Sequence, residues 1–132
     1  MYCGDIVNNE VMKANELMIG DWVRDHTSIN RRIICLKRFP DGKEMVVLEN
    51  GVELSIEKCT PVPLRKQYLE YNEFQILDGI NWWKDGFYFP SEDYVRTPTF
   101  CGCEIRRFIY VHELQNALRM CGLNELADNF IV

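Results

Sequence analysis

The sequence predicts an α+β fold: an N-terminal SH3-like antiparallel half-barrel, then a helix, a second small antiparallel sheet and a C-terminal helix. Three observations predict it. Short apolar runs separated by turn residues recur between Gly20 and Thr60, as in a meander of short strands. Thr60-Pro61-Val62-Pro63 interrupts them, because proline cannot donate to a strand ladder. Val111, Leu114, Leu118 and Cys121 then recur at helical spacing near the end of the chain. The expected organisation is a flexible tail over residues 1–12, an SH3-like β subdomain over 13–60, and an α+β subdomain over 61–132 packed on it as one compact unit.

The elements follow in order. Trp22 and Val23 open the first strand after a Gly20-Asp21 bend. Arg32 to Phe39 forms the second strand, with Ile33, Ile34, Cys35 and Leu36 at its centre. Pro40-Asp41-Gly42 supplies a turn, since proline presets φ and glycine accepts the left-handed position. Met45 to Leu48 is the third strand. Asn50-Gly51 reads as a two-residue type I′ hairpin, whose two central residues both need positive φ. That register sets Val47 opposite Leu54 and Met45 opposite Ile56 on one face, with Glu53, Ser55 and Glu57 on the other.

Beyond the proline break, Leu64, Tyr68 and Tyr71, with Leu69 beside them, mark a helix that stops at Asn72. The reading returns to β from Phe74 to Tyr110. Trp82 and Trp83 lead into an Asp85-Gly86 turn and then Phe87, Tyr88 and Phe89. Tyr94 to Phe100 and Glu104 to Tyr110 flank a Cys101-Gly102 turn. The last helix runs from Val111 to Cys121. Gly122 stands at its C′ position, and Leu123 can make the apolar contact of a Schellman ending.

Composition bounds the function classes. The chain has 132 residues, 47% hydrophobic and 27% charged, ordinary for one globular domain that needs no metal or disulfide to fold. No stretch reaches the eighteen or so uncharged apolar residues of a membrane span. The opening MYCGDIVNNEV holds Asp5 and Glu10 but no Lys or Arg, unlike a secretory signal. The expected address is the cytoplasm, and Met12 offers an alternative start. Cysteines stand at positions 3, 35, 59, 101, 103 and 121. In a reducing compartment they are expected to be thiols. Cys35 and Cys121 fall within apolar patterns, as small hydrophobes do. Cys101-Gly102-Cys103 is the one close pair, and without a second pair at zinc spacing it reads as a turn. No metal and no cofactor are expected.

No GxSxG, P-loop, HExxH or dinucleotide fingerprint occurs. A Cys-His hydrolase would draw on His112, one of two histidines with His26. His112 falls in the first turn of the last helix, where a partly exposed histidine needs no special role. Glu92 and Asp93 are adjacent on an extended stretch and point to opposite faces, so they make no acid/base pair. The expectation is a protein that is not an enzyme.

Two surface readings remain. In a strand, neighbouring side chains alternate sides, so one of Trp82 and Trp83 enters the core while the other tends outward. A two-residue Asp85-Gly86 loop pairs Trp83 with Tyr88, making Trp83 the outward ring and Trp82 the core ring. Trp83 and Tyr88 are therefore the candidate surface for a protein partner, against the alternative that a neighbouring element covers them. The second reading is nucleic-acid binding through Arg31, Arg32, Lys37 and Arg38, with an outward aromatic ring stacking on a base. The net charge of −5 opposes it. Six bases over residues 20–43 (Arg24, Arg31, Arg32, Lys37, Arg38, Lys43) also face Glu44, Glu49, Glu53 and Glu57 in the next stretch, a pattern expected of a mutually compensating surface.

Three stretches, KANELMIGDWV (Lys13 to Val23), PVPL (Pro61 to Leu64) and YVHELQNAL (Tyr110 to Leu118), together resemble a family of small proteins of gut Bacteroidales bacteria and their prophages. That family has no assigned activity, so the resemblance implies a phage or mobile-element setting and no catalytic or binding residue. In the family, a helix-capping Thr commonly follows the PVPL motif. Arg65 stands there in this chain, so the next helix is expected to start without that cap. The function expected is an accessory or protein-interaction module.

Overall fold

The computed structural model describes residues 12, 14–77, 81–89, 98–105 and 109–132. The expected tail before Met12, Glu92 and Asp93, and parts of two expected strands (94–97 and 106–108) lie outside the described residues. Among the described residues the chain carries two five-stranded antiparallel sheets and three α-helices, the α+β class that the sequence predicts. No helix among them is long and apolar enough to cross a membrane. The chain divides into two compact units, Met1–Val62 and Pro63–Val132.

The first unit holds β1 (Trp22–Arg24), β2 (Asn30–Arg38), β3 (Glu44–Leu48), β4 (Glu53–Ser55) and β5 (Thr60–Pro61). Their order is β4-β3-β2-β1-β5, with each neighbouring pair antiparallel. A 3-10 turn, Ile56–Lys58, links β4 to β5. The sheet is open, with β4 and β5 at its edges, consistent with a half-barrel. Val23, Ile33, Val46, Leu48, Ile56 and Cys59 are buried in one cluster with Leu17 and Met12, and Leu36 and Leu54 pack against it. Met12 thus belongs to this core. Burial, with the Asp25 carboxylate adding to it, pushes the Cys59 thiol up to about 11.

The apolar run Ile33-Ile34-Cys35-Leu36 is resolved by a β-bulge. Ile33 pairs with Leu48, but Cys35 pairs with Val47, so the register shifts between them. The extra residue, Ile34, is half exposed, and Ile33 and Leu36 both reach the core.

The β3–β4 hairpin differs from the sequence expectation by one residue. Met45 pairs with Ser55, Val46 with Leu54 and Val47 with Glu53. The Gly51 N–H donates to the Leu48 carbonyl at 2.8 Å, and the Leu48 N–H donates to Val52 at 2.9 Å. The loop is therefore the three residues Glu49-Asn50-Gly51. Gly51 has φ +87°, while Asn50 is not at positive φ, which excludes type I′ and fits a turn closed by one left-handed glycine. Since side chains alternate, the slip reverses the faces: Val46 and Leu48 are fully buried, whereas Met45 and Val47 are only half-buried. The Pro40-Asp41-Gly42 loop has the expected form, with the Gly42 N–H donating to Phe39 at 2.9 Å.

The second unit opens with α1 (Lys66–Tyr71). Arg65 stands at its N-cap in extended conformation and makes no side-chain capping bond. Leu64, Tyr68 and Leu69 are buried, whereas Tyr71 is half exposed, so Leu69 takes the inward place expected of Tyr71. The strands β6 (Gln75–Leu77), β7 (Asn81–Lys84), β8 (Phe87–Phe89), β9 (Thr99–Phe100) and β10 (Cys103–Glu104) form a simple meander. Next come α2 (Val111–Met120) and α3 (Asn124–Asp128). The short helix α3 is not expected from the sequence.

The start of α2 is held by Glu113, whose Oε1 accepts the N–H groups of Ile109 (3.0 Å) and Tyr110 (3.1 Å). Pro63 and Tyr110 form an antiparallel bridge, and the Leu64 N–H donates to Ile109 at 3.0 Å. Pro63 and Leu64, the second half of the PVPL stretch, therefore lie beside the beginning of YVHELQNAL. At the other end, Leu123 N–H donates to Leu118 at 2.8 Å and Gly122 N–H to Arg119 at 3.0 Å, the full Schellman pair. Val111, Leu114 and Leu118 of the predicted stripe are fully buried.

The Gly51 assignment is testable. A Cβ there meets nothing within 4 Å, so substitution probes backbone strain rather than a clash at the Cβ. Gly51→Val is expected to cost on the order of 1 kcal/mol or more, seen as a lower thermal midpoint. An unchanged midpoint contradicts the left-handed loop.

Candidate interaction surface

The second sheet sets its two faces by register. Asp85 (φ +50°) and Gly86 (φ +86°) are both left-handed, as a two-residue type I′ loop requires. That loop pairs Trp83 with Tyr88 and Trp82 with Phe89. Trp82, Phe87 and Phe89 are buried. The Phe87 and Phe89 rings lie 5.2 Å apart, and Phe89 lies 5.9 Å from Phe74, within the range of favourable aromatic pairs.

The opposite face carries one row across all five strands. Gln75 pairs with Trp83, Trp83 with Tyr88, Tyr88 with Thr99, and Thr99 with Glu104. Trp83 is 38% exposed against 4% for Trp82, and Tyr88 is half-buried. The outward assignment drawn from the turn thus agrees with the geometry. A rigid aromatic pair between polar neighbours offers contact area at low entropic cost.

The four basic side chains of the nucleic-acid reading each meet a partner within their own unit. Arg31 Nε lies 3.4 Å from Asp25 Oδ2, and Lys37 Nζ lies 3.1 Å from Glu53 Oε1. Arg38 binds Glu44 Oε2 through both Nε (3.2 Å) and an Nη at 2.6 Å. The Arg32 guanidinium stands 4.8 Å from the centre of the Trp22 ring, a cation–π distance. The exposed pairs among them, Lys37 with Glu53 and Arg38 with Glu44, add little stability. The consequence is electrostatic, because the carboxylates beside Arg31, Lys37 and Arg38 weaken the field a phosphate backbone would feel.

Asp25 also closes the β1–β2 loop. Its Oδ1 accepts from the Thr27 hydroxyl and from the N–H groups of Thr27 (2.8 Å) and Ile29 (3.0 Å). The Thr27 hydroxyl bond, against the opposing effect of burial and with help from these amides and Arg31, holds the Asp25 carboxyl well below the usual carboxylate range.

His112 is buried, at 3% exposure, and stacks on Tyr110 at 6.0 Å and 11°. This differs from the partly exposed place expected from the sequence, because helical spacing does not show what packs over the first turn. Cys101 and Cys103 are exposed at the β9–β10 tip, while Cys35 and Cys121 are half-buried; all four are thiols. Among the described residues, no group of three or more His, Cys, Asp or Glu is placed to hold a metal ion.

Sequence reasoning missed the Trp22–Arg32 stack, whose signal is long-range: the two residues face each other across β1 and β2. It also missed two buried amides, Asn72 and Gln115, which nothing in a helical pattern distinguishes from surface residues. Comparison with protein-family models, with curated proteins and with solved structures gives no match.

The two indole rings are expected to respond differently to truncation. Trp82→Ala should cost roughly 3–5 kcal/mol, much of a small unit's stability. Trp83→Ala should cost far less. Similar large losses in denaturant midpoint would show that both rings are structural.

Proposed function

We propose that this chain is a non-enzymatic accessory module of a phage or mobile genetic element, acting in the cytoplasm, and that it docks a protein partner on the Trp83–Tyr88 face of its second sheet. The observation that carries this reading is the exposed Trp83 ring in direct register with Tyr88, in a row whose other members, Gln75, Thr99 and Glu104, are polar. Exposed aromatics of this kind are common interface anchors. The resemblance of Lys13–Val23, Pro61–Leu64 and Tyr110–Leu118 to small prophage-associated proteins supports the setting. The strand order β4-β3-β2-β1-β5, with a 3-10 turn leading into β5, supports an SH3-like first unit. The partnered state of Arg31, Arg32, Lys37 and Arg38 weighs against nucleic acid.

The test is cross-linking capture in cells that express the protein, with wild type beside Trp83→Ala and Tyr88→Ala. A partner is expected with wild type and lost with either variant, while their thermal midpoints stay near that of wild type. Capture indifferent to both substitutions contradicts the proposal. Salt-dependent retention on heparin or single-stranded DNA, lost on substituting Arg31, Lys37 and Arg38, would favour nucleic acid instead.

A further inference from the structure

The last residues of the chain are held in an unusual way. Asn72, buried at the end of α1, donates from Nδ2 to the Ile131 carbonyl (2.8 Å) and accepts the Ile131 N–H at Oδ1 (2.8 Å). The same Nδ2 also donates to the Tyr68 carbonyl at 2.7 Å, which fixes the amide in place. Gln115, wholly buried on α2, donates from Nε2 to the Ala127 carbonyl at 3.0 Å. Each of these buried amides reads main-chain atoms of the terminal segment. The Ile131 side chain is half exposed, so what these amide bonds hold at Ile131 is its backbone. The preceding residue, Phe130, is fully buried. The arrangement is that of a bound peptide: main-chain hydrogen bonds tolerant of sequence, and one side-chain anchor that supplies selectivity.

We infer that Asn72, Gln115 and the space filled by Phe130 form a peptide-docking site, which the chain's own C-terminal segment occupies as a latch. Its ligand class is a short segment with a buried phenylalanine followed by a residue whose N–H and C=O are both free to pair. This inference does not rest on the Trp83–Tyr88 reading. Asn72 supplies both a donor and an acceptor, so a segment that offers only one of them leaves a buried polar group unsatisfied.

The experiment uses the full chain and a fluorescent peptide of residues 123–132. Wild type, with its latch in place, should bind the peptide weakly. Phe130→Ala, which weakens the latch and leaves the site intact, should bind at least about tenfold more tightly, and adding Asn72→Ala should remove that gain. If circular dichroism shows Phe130→Ala unfolded, Ile131→Pro takes its place, since it deletes the single N–H that Asn72 accepts without opening the core. The inference is overturned if the folded variant binds the peptide no better than wild type, or if binding is indifferent to Asn72.

Discussion

Strand register is the constraint on which this structure depends. In a sheet with one buried face, a slip of a single residue exchanges every inward and outward side chain. Register here is set at the hairpin tips. Asp85 and Gly86, both at positive φ, close a two-residue loop, and this alone decides that Trp82 joins Phe87 and Phe89 inside while Trp83 faces out beside Tyr88. The candidate surface is therefore a consequence of backbone conformation two residues away from it.

The second recurring device is the pinning of main chain by polar side chains. Glu113 ties the start of α2, Asp25 ties the β1–β2 loop, and Asn72 ties the end of α1 to Ile131. A buried polar group costs free energy unless it is bonded, so Asp25 and Asn72, both buried, are each a liability and a fixed point. Charges on the first sheet follow a related logic. Lys37 with Glu53 and Arg38 with Glu44 pair strand to strand, so the surface stays locally neutral although the chain is acidic.

Some of this was readable in the sequence and some was not, for definite reasons. The Asp85-Gly86 loop was readable because two residues separate runs of opposite parity, and the Schellman ending because Gly122 follows a clean apolar stripe. Asn50-Gly51 misled because Asn-Gly suits both a two-residue loop and a three-residue loop ending in glycine. The strand itself could not arbitrate: Met45, Val46, Val47 and Leu48 are all apolar, so either alternation offers a hydrophobic face. Ile34 hid its bulge in the same way, inside an unbroken apolar run. The Trp83–Tyr88 surface was legible because it is local to one hairpin. The Asn72 site was not, since its two halves lie 59 positions apart and no local pattern links them.

The central claim, that hairpin register turns Trp83 outward and Trp82 inward, is tested most directly by solvent access to the indole rings. Their resonances can be assigned by single Trp→Phe substitutions and then followed as a soluble paramagnetic gadolinium chelate is added. The account predicts strong broadening of the Trp83 signals while those of Trp82 persist. Equal protection of both rings, or broadening of Trp82 in preference to Trp83, would contradict it.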